Sequence, residues 1–299
     1  MTALRRLLPR ELHDSARPST TAQAVTLYRA LELHRSPDQR IVDDRFAPLF
    51  LTAGSRALLA PLSAATPVRD LAAQHDLGGL STYVLCRHRF IDEHLLAPTG
   101  AEQVLILGAG YDSRAYRFAA ELDGRPVFEV DLPPLSRRKA EIVAAHPAEF
   151  GVGAIVRVEI DFRTQALTDV LRPAGFAFGA RTFVVWEGVV PYLDSAAVHT
   201  TLAALRTVCG TGSVLAMDMW DATGGPGPFA PLRRLGARAI ALVGEPVTFG
   251  VVPSAVPALL AEHGFEVCDL ADAATLTARY ATAGRHSFES LYALAARLA

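Results

Sequence analysis

From about residue 100 onward, short apolar, β-branched runs alternate with longer segments whose apolar positions recur at helical spacing. This is the pattern of strands joined by helices into an open, mostly parallel sheet, an α/β fold. The strand runs cover residues 103–107, 126–130, 155–159, 182–186, 213–218, 267–270 and 287–293. The middle runs are nearly continuous in apolar residues, as strands covered on both faces must be. Helices are predicted over 113–122, 135–145, 195–208 and 254–263. Before residue 100 the pattern changes, because 21–32, 45–51 and 80–96 have helical spacing with no strand between them. The expected organisation is a helical cap, 1–98, packed on a body, 99–299.

Open α/β sheets bind ligands beyond the carboxyl ends of their strands, so the residues just after each strand are the candidates for chemistry. The first strand runs into Gly108-Ala109-Gly110-Tyr111-Asp112-Ser113. Glycines in such a turn let the backbone approach a ligand, although Ser113 stands where a dinucleotide fingerprint carries its third glycine. The alternative is a plain strand-to-helix turn. Asp131 ends the second strand, where a carboxylate can accept from both hydroxyls of a ribose; the alternative is an N-cap ahead of Leu132-Pro133-Pro134. Glu129, expected on the other face of the strand, is the lesser candidate. Asp161 follows the third strand, where an adenine amino group needs an acceptor. Glu187 steps out of the apolar run 182–186, which is uneconomical for a carboxylate unless it is paired or used. Trp186 and Tyr192 flank it and can offer a π face to a cation or simply pack. After the fifth strand, Met217, Asp218 and Trp220 lead into a Gly/Pro-rich loop with Phe229. These residues are expected to form an apolar substrate wall under a lid, or a surface loop pinned by its aromatics.

The helix over 80–96 adds Arg87 and Arg89, two residues apart and hence facing different ways, so one of them is expected to point at the site. An arginine fork suits a free carboxylate; the alternative is a surface ion pair of Arg89 with Asp92 or Glu93. His88 and Asp92, four apart, read as a solvated pair rather than as metal ligands, and no metal is expected.

Composition narrows the functional classes. The chain has 299 residues, 51% of them hydrophobic, with 29 basic against 31 acidic side chains and three cysteines. Near-neutral charge gives no field for nucleic acid or anionic lipid, and three scattered cysteines suit a reducing compartment. No run of eighteen apolar residues exists and no signal-peptide h-region precedes the body, so a cytoplasmic protein is expected. Lys139 is the only lysine. Leu135 stands four residues before it, which excludes the Tyr-x-x-x-Lys pair of short-chain dehydrogenases. No Gly-x-Ser-x-Gly elbow supports a hydrolase.

Taken together, Arg87-x-Arg89-Phe-Ile-Asp92, the string from Leu105 to Arg117 with its Gly-Ala-Gly-Tyr-Asp-Ser-Arg core, Phe128-Glu-Val-Asp131 and Trp186-Glu187-Gly-Val-Val-Pro-Tyr192 resemble the leucine carboxyl methyltransferase-like family of S-adenosylmethionine-dependent O-methyltransferases. Ile41-Val-Asp43-Asp44-Arg45-Phe46-Ala47 is similar to the family's cap motif. The resemblance implies a class I, Rossmann-like methyltransferase sheet of seven strands with an antiparallel last hairpin, and S-adenosyl-L-methionine as cofactor. By the same resemblance, Arg87 takes the cofactor's methionine carboxylate, Gly108 and Gly110 pass beneath it, Asp131 holds the ribose, and Asp161 accepts from adenine. Glu187 lies near the amino or sulfonium group. Ala109, Leu132 and Phe162 complete the cofactor set, Glu187 and Tyr192 position the reactants, and Met217, Trp220 and Phe229 contact a small-molecule acid. An ionised carboxylate acceptor needs no base, whereas a hydroxyl does; none of the nine histidines follows a strand end in the body, which favours an acid. A hydroxyl acceptor and a non-catalytic cofactor-binding module are the rival readings.

Overall fold

The computed structural model describes residues 20–57, 79–151, 153–161, 164–223, 247–282 and 284–299. Phe162, Phe229 and most of the loop after the fifth strand lie outside the described residues. Seven strands and the α-helices around them run in the order α1 (Thr20–Glu32), α2 (Ala47–Phe50), α3 (Leu80–Leu96), β1 (Gln103–Leu107), α4 (Arg114–Arg117), α5 (Ala119–Leu122), β2 (Val127–Asp131), α6 (Pro133–Ala145) and α7 (Pro147–Phe150). They continue through β3 (Ile155–Glu159), α8 (Leu167–Leu171), β4 (Thr182–Trp186), α9 (Ser195–Val208), β5 (Val214–Trp220), α10 (Val256–Ala261), β6 (Phe265–Ala271), α11 (Ala273–Tyr280) and β7 (Leu291–Leu298).

The strands form one sheet in the order β3-β2-β1-β4-β5-β7-β6. The first five pair in parallel, and β7 runs antiparallel between β5 and β6. This is the class I methyltransferase arrangement expected from the sequence. The order reverses between β1 and β4, which opens a crevice at their carboxyl ends. The last strand was expected at 287–293 and lies at Leu291–Leu298. Its sequence, LYALAARL, has weak strand propensity, and its burial between two neighbours decides the conformation instead. The helix expected over 113–122 is two short helices broken at Phe118.

Alternation along the strands divides the core. Leu105, Val130, Val184, Leu215 and Leu294 point to a face covered by Leu171, Val198, Leu202 and Leu260 of α8, α9 and α10. Val104, Ile106, Val127, Val185 and Ala216 point the other way, against α3, with Leu276 of α11 and Ala115 of α4. A smaller aromatic cluster of Phe46, Phe50, Tyr111, Tyr116 and Phe150 joins α2 to the segment after β1. Each fully buried apolar side chain contributes about 1.5–3 kcal/mol.

Candidate functional site

The face toward α3 changes character at the carboxyl ends of the strands. Strand period two continues Val127 into Glu129 and Asp131, Val185 into Glu187, and Ala216 into Asp218, so four carboxylates share one face. Glu129 therefore lies on the same face as Asp131, not on the opposite one. It is taken by Lys139, whose Nζ sits 2.7 Å from Glu129 Oε1 with both side chains buried. The only lysine is thus committed to an internal pair.

Arg87 reaches down from α3 between two of these acids. Its Nε donates to Glu187 Oε1 at 2.9 Å and its Nη1 to Asp218 Oδ2 at 2.8 Å. The Gly188 amide donates to Asp218 Oδ1 at 2.6 Å, which fixes the exit of β4 against the end of β5. Arg89 points the other way, pairing with Glu93 at 3.0 Å on the half-exposed surface. Helical geometry thus sends only Arg87 inward.

Arg114, fully buried, organises the second half of the cluster. It donates from Nε to Asp92 Oδ1 at 2.7 Å and from Nη1 to Asp112, lies 2.7 Å from Glu187 Oε2, and donates from Nη2 to the His88 carbonyl at 3.1 Å. Arg117 donates to the other Asp92 oxygen. His88 and Asp92 do not form the solvated pair expected from their spacing; both are buried. His88 Nδ1 stands 3.1 Å from Glu187 Oε2 and 2.9 Å from Arg114 Nη2, and among the described residues its Nε2 has no hydrogen-bond partner. A histidine therefore does reach a strand end, from a helix.

Arg87, Arg114 and Arg117 face Asp92, Asp112, Glu187 and Asp218 in this cluster. Buried charges are tolerable only as a complete set, since removing one partner strands the others in a medium that cannot solvate them. Burial pushes the Glu187 carboxyl up, but Arg114, His88 and Arg87 outweigh it and hold the group well below the usual carboxylate range. Asp218 shifts the opposite way: burial raises it, and Arg87 with the Gly188 amide offsets only part of that. His88 is lowered by burial and then by Arg114.

The glycine turn lies beside this cluster. Gly108 has φ +65°, and a Cβ there would sit 2.3 Å from Val189 Cγ2, so only glycine fits between β1 and the β4 exit. Gly110 has φ +45°, and a Cβ there would meet the Gly108 carbonyl at an ordinary 3.8 Å. Asp131 accepts from the Gly110 amide with one oxygen and from the Leu132 amide with the other, at 2.6 Å for the latter. It makes no helix cap, since Leu132 is the N-cap of α6 and Asp131 bonds outside that helix's first turn. Burial raises its carboxyl, with the Gly110 and Leu132 amides partly offsetting.

Ser113, the departure from the dinucleotide fingerprint, has a structural role. Its hydroxyl donates to Asp44 Oδ2 at 2.7 Å. Arg29 on α1 donates to the same oxygen at 2.7 Å and to the Tyr111 carbonyl at 2.8 Å. Asp44 Oδ1 accepts the amides of Phe46 and Ala47. The Asp43-Asp44-Arg45-Phe46-Ala47 segment is thereby clamped to the glycine turn, and a third glycine would remove the clamp's hydroxyl.

Of the remaining expected residues, Ala109 is buried in the turn and Leu132 is 47% exposed beside Asp131. Asp161 is half-buried after β3, its amide donating to Gln165 Oε1 at 2.9 Å. Tyr192 is half-buried in a 3₁₀ turn, Val190–Tyr192. Trp220 lies on the Asp218 face, its ring 5.8 Å from that of Phe288. Met217 is fully buried in the apolar cluster on the opposite face, apart from the other site residues. Residues 88, 92, 112, 114 and 117 escaped the sequence reading as a cluster, although the i, i+4 spacing of 88 and 92 and the i, i+3 spacing of 114 and 117 place each pair on one helix face.

The sequence profile of the leucine carboxyl methyltransferase family matches residues 22–206. A Mycolicibacterium paratuberculosis protein, provisionally named an S-adenosyl-L-methionine-dependent methyltransferase, is 34% identical over 70% of this chain and 64% of its own length. A protein from a Parafrankia species with the same kind of name is 34% identical over 84% of this chain and 77% of its own. Among solved structures, a provisionally named methyltransferase from Thermobifida fusca superimposes with a TM-score of 0.57 at 19% identity, covering 98% of this chain and 99% of that one. A Streptomyces avermitilis protein from a domain family of unknown function gives 0.56 at 16% identity, covering 92% and 97%. The latter two share the fold; the profile match and the sequence relatives go further, and the chain belongs to the leucine carboxyl methyltransferase family of S-adenosyl-L-methionine-dependent methyltransferases.

Proposed function

We propose that the chain transfers a methyl group from S-adenosyl-L-methionine to the carboxylate of a small, partly apolar acid, giving a methyl ester. The observation that carries this reading is the profile match over residues 22–206, whose family is named for carboxyl methylation. The residues at the sheet edge fit the cofactor. A carboxylate offers about four lone-pair positions, and Asp131 uses two of them on the Gly110 and Leu132 amides, leaving two for a ribose diol. Gly110 is not crowded on its Cβ side, and exposed Leu132 offers an apolar edge beside it. Asp161 accepts at the far end of this line. Glu187, held ionised, suits the cationic end of the ligand. Arg87 keeps Nη2 beside Gly188 for a carboxylate while Glu187 and Asp218 hold Nε and Nη1.

When bound, the cofactor supplies an electrophilic methyl on a sulfonium. The chain's own contribution is positional: holding the acceptor oxygen in line at near-attack distance is worth up to about 7–11 kcal/mol. Glu187 is fixed by Arg87, Arg114 and His88, so it stabilises positive charge without reorganising. Tyr192 and Trp220 border the acceptor side. In this reading the described residues before 99, clamped through Asp44, cover it. An acid acceptor ionised near pH 7 requires no proton removal.

His88 beside Glu187 favours a second reading, methylation of a hydroxyl with His88 as base. Assay of methyl transfer from labelled cofactor to a panel of small carboxylic acids and phenols separates the two. The ester reading expects product that releases methanol in mild alkali and a rate independent of pH through the histidine range. A base-stable product with a rate that falls as the histidine protonates establishes the second reading.

A further inference from the structure

Away from the sheet-edge site, three side chains are gathered whose chemistry the methyl-transfer reading does not use. Among the described residues, His199, Glu262 and His263 are the one group of three metal-ligating side chains whose donor atoms all lie within 4.8 Å of one another. His199 stands in the second turn of α9, and Glu262 and His263 directly follow α10. His199 Nδ1 and His263 Nε2 are 2.9 Å apart. Two imidazole nitrogens bonded to one tetrahedral ion at about 2.0–2.1 Å are separated by about 3.3–3.4 Å, so this pair would have to part by only about half an ångström to share one.

The two histidines share a hydrogen bond, and packing holds the elements that carry them. Val198 and Leu202 anchor α9, and Leu260 anchors α10, in the same apolar cluster. Asp194 caps α9 by accepting from the Ala197 amide at 2.8 Å. The His263 amide donates to the Leu260 carbonyl at 3.0 Å, which fixes the turn that carries it. Glu262 is exposed, so its carboxylate can swing toward the nitrogens without unpacking anything. Both imidazoles are half-buried, open to solvent on one side. Imidazole and carboxylate donors suit zinc, nickel and copper better than calcium or magnesium.

We propose that His199, Glu262 and His263 form a binding site for a divalent first-row transition metal, pinning α9 to the turn between α10 and β6. The site lies on the side of the sheet opposite Arg87 and is independent of methyl transfer. With three protein donors it leaves coordination positions to water.

The test is titration calorimetry of the untagged chain with Zn²⁺ and, separately, Ni²⁺ at about pH 7.5, with thermal unfolding followed before and after EDTA. The expected result is one equivalent bound and a raised midpoint that EDTA reverses. His199→Ala and His263→Ala should each weaken binding by at least about tenfold, and Glu262→Gln by less. His199→Gln serves as the second variant should the alanine form be unstable. Binding should weaken toward pH 5.5 as the imidazoles protonate. A saturable equivalent that persists unchanged in the histidine variants, or no saturable binding of either ion, overturns the proposal.

Discussion

The two faces of the sheet are covered with different materials. Under α8, α9 and α10 the interface is a continuous apolar cluster, Trp186, Met217, Met219 and Tyr292 among its members, and hydrophobic side chains of suitable volume serve there. Under α3 and α4 the amino-terminal halves of the strands are equally apolar, but the carboxyl ends meet Arg87, Arg114, Arg117 and their acids. The first face tolerates change residue by residue; the second is a set whose members depend on one another.

The largest expected effect tests that dependence. Arg114→Met leaves Asp92, Asp112 and Glu187 short of a partner and should cost about 3–5 kcal/mol in denaturant unfolding. Leu202→Ala on the other face should cost about 2–5 kcal/mol, and the two should add when combined; strong non-additivity would join the faces energetically. Acid unfolding sharpens the same contrast. Burial raises the Asp112 carboxyl, but Arg114 and His88 bring it down to about 2, below the unfolded value of about 3.9. Its contribution is therefore present above about pH 4 and lost as pH falls toward 2. Asp112→Asn should flatten that part of the stability curve, and an unchanged acid limb would show that Arg114 does not hold the group down.

A smaller effect is expected at the glycine turn. Asp131→Ala should weaken binding of S-adenosyl-L-methionine by about 1–3 kcal/mol in calorimetry, and unchanged affinity would remove Asp131 from the ribose role. The smallest belongs to Arg89→Ala, which removes a half-exposed pair with Glu93 and a long hydrogen bond to the Ile41 carbonyl at 3.3 Å and should cost no more than about 1 kcal/mol of stability, with cofactor affinity intact. Substantial loss of that affinity would mean that the wrong side of α3 had been assigned to the site.

The main elements of both faces were legible. The strands at 103–107, 155–159 and 182–186 and the helices at 80–96 and 195–208 match their expected limits, because continuous apolar runs and helical spacing report burial directly. β7 was misplaced and α11 escaped notice. Alanine-rich LYALAARL carries little strand signal, while the Asp272 cap that opens α11, accepting from the Thr275 amide at 2.8 Å, was available to be read. At the site, spacing predicted that only one of Arg87 and Arg89 turns inward. It could not pair Arg114 with Asp92 or Ser113 with Asp44, because those bonds join residues 22 and 69 apart in sequence.

The Lys139–Glu129 pair has a practical corollary. With the chain's one ε-amine sealed inside the protein, acylating reagents that seek lysine side chains are kept from it in the folded form. Acylation of Lys139 would therefore report that the fold has opened around β2.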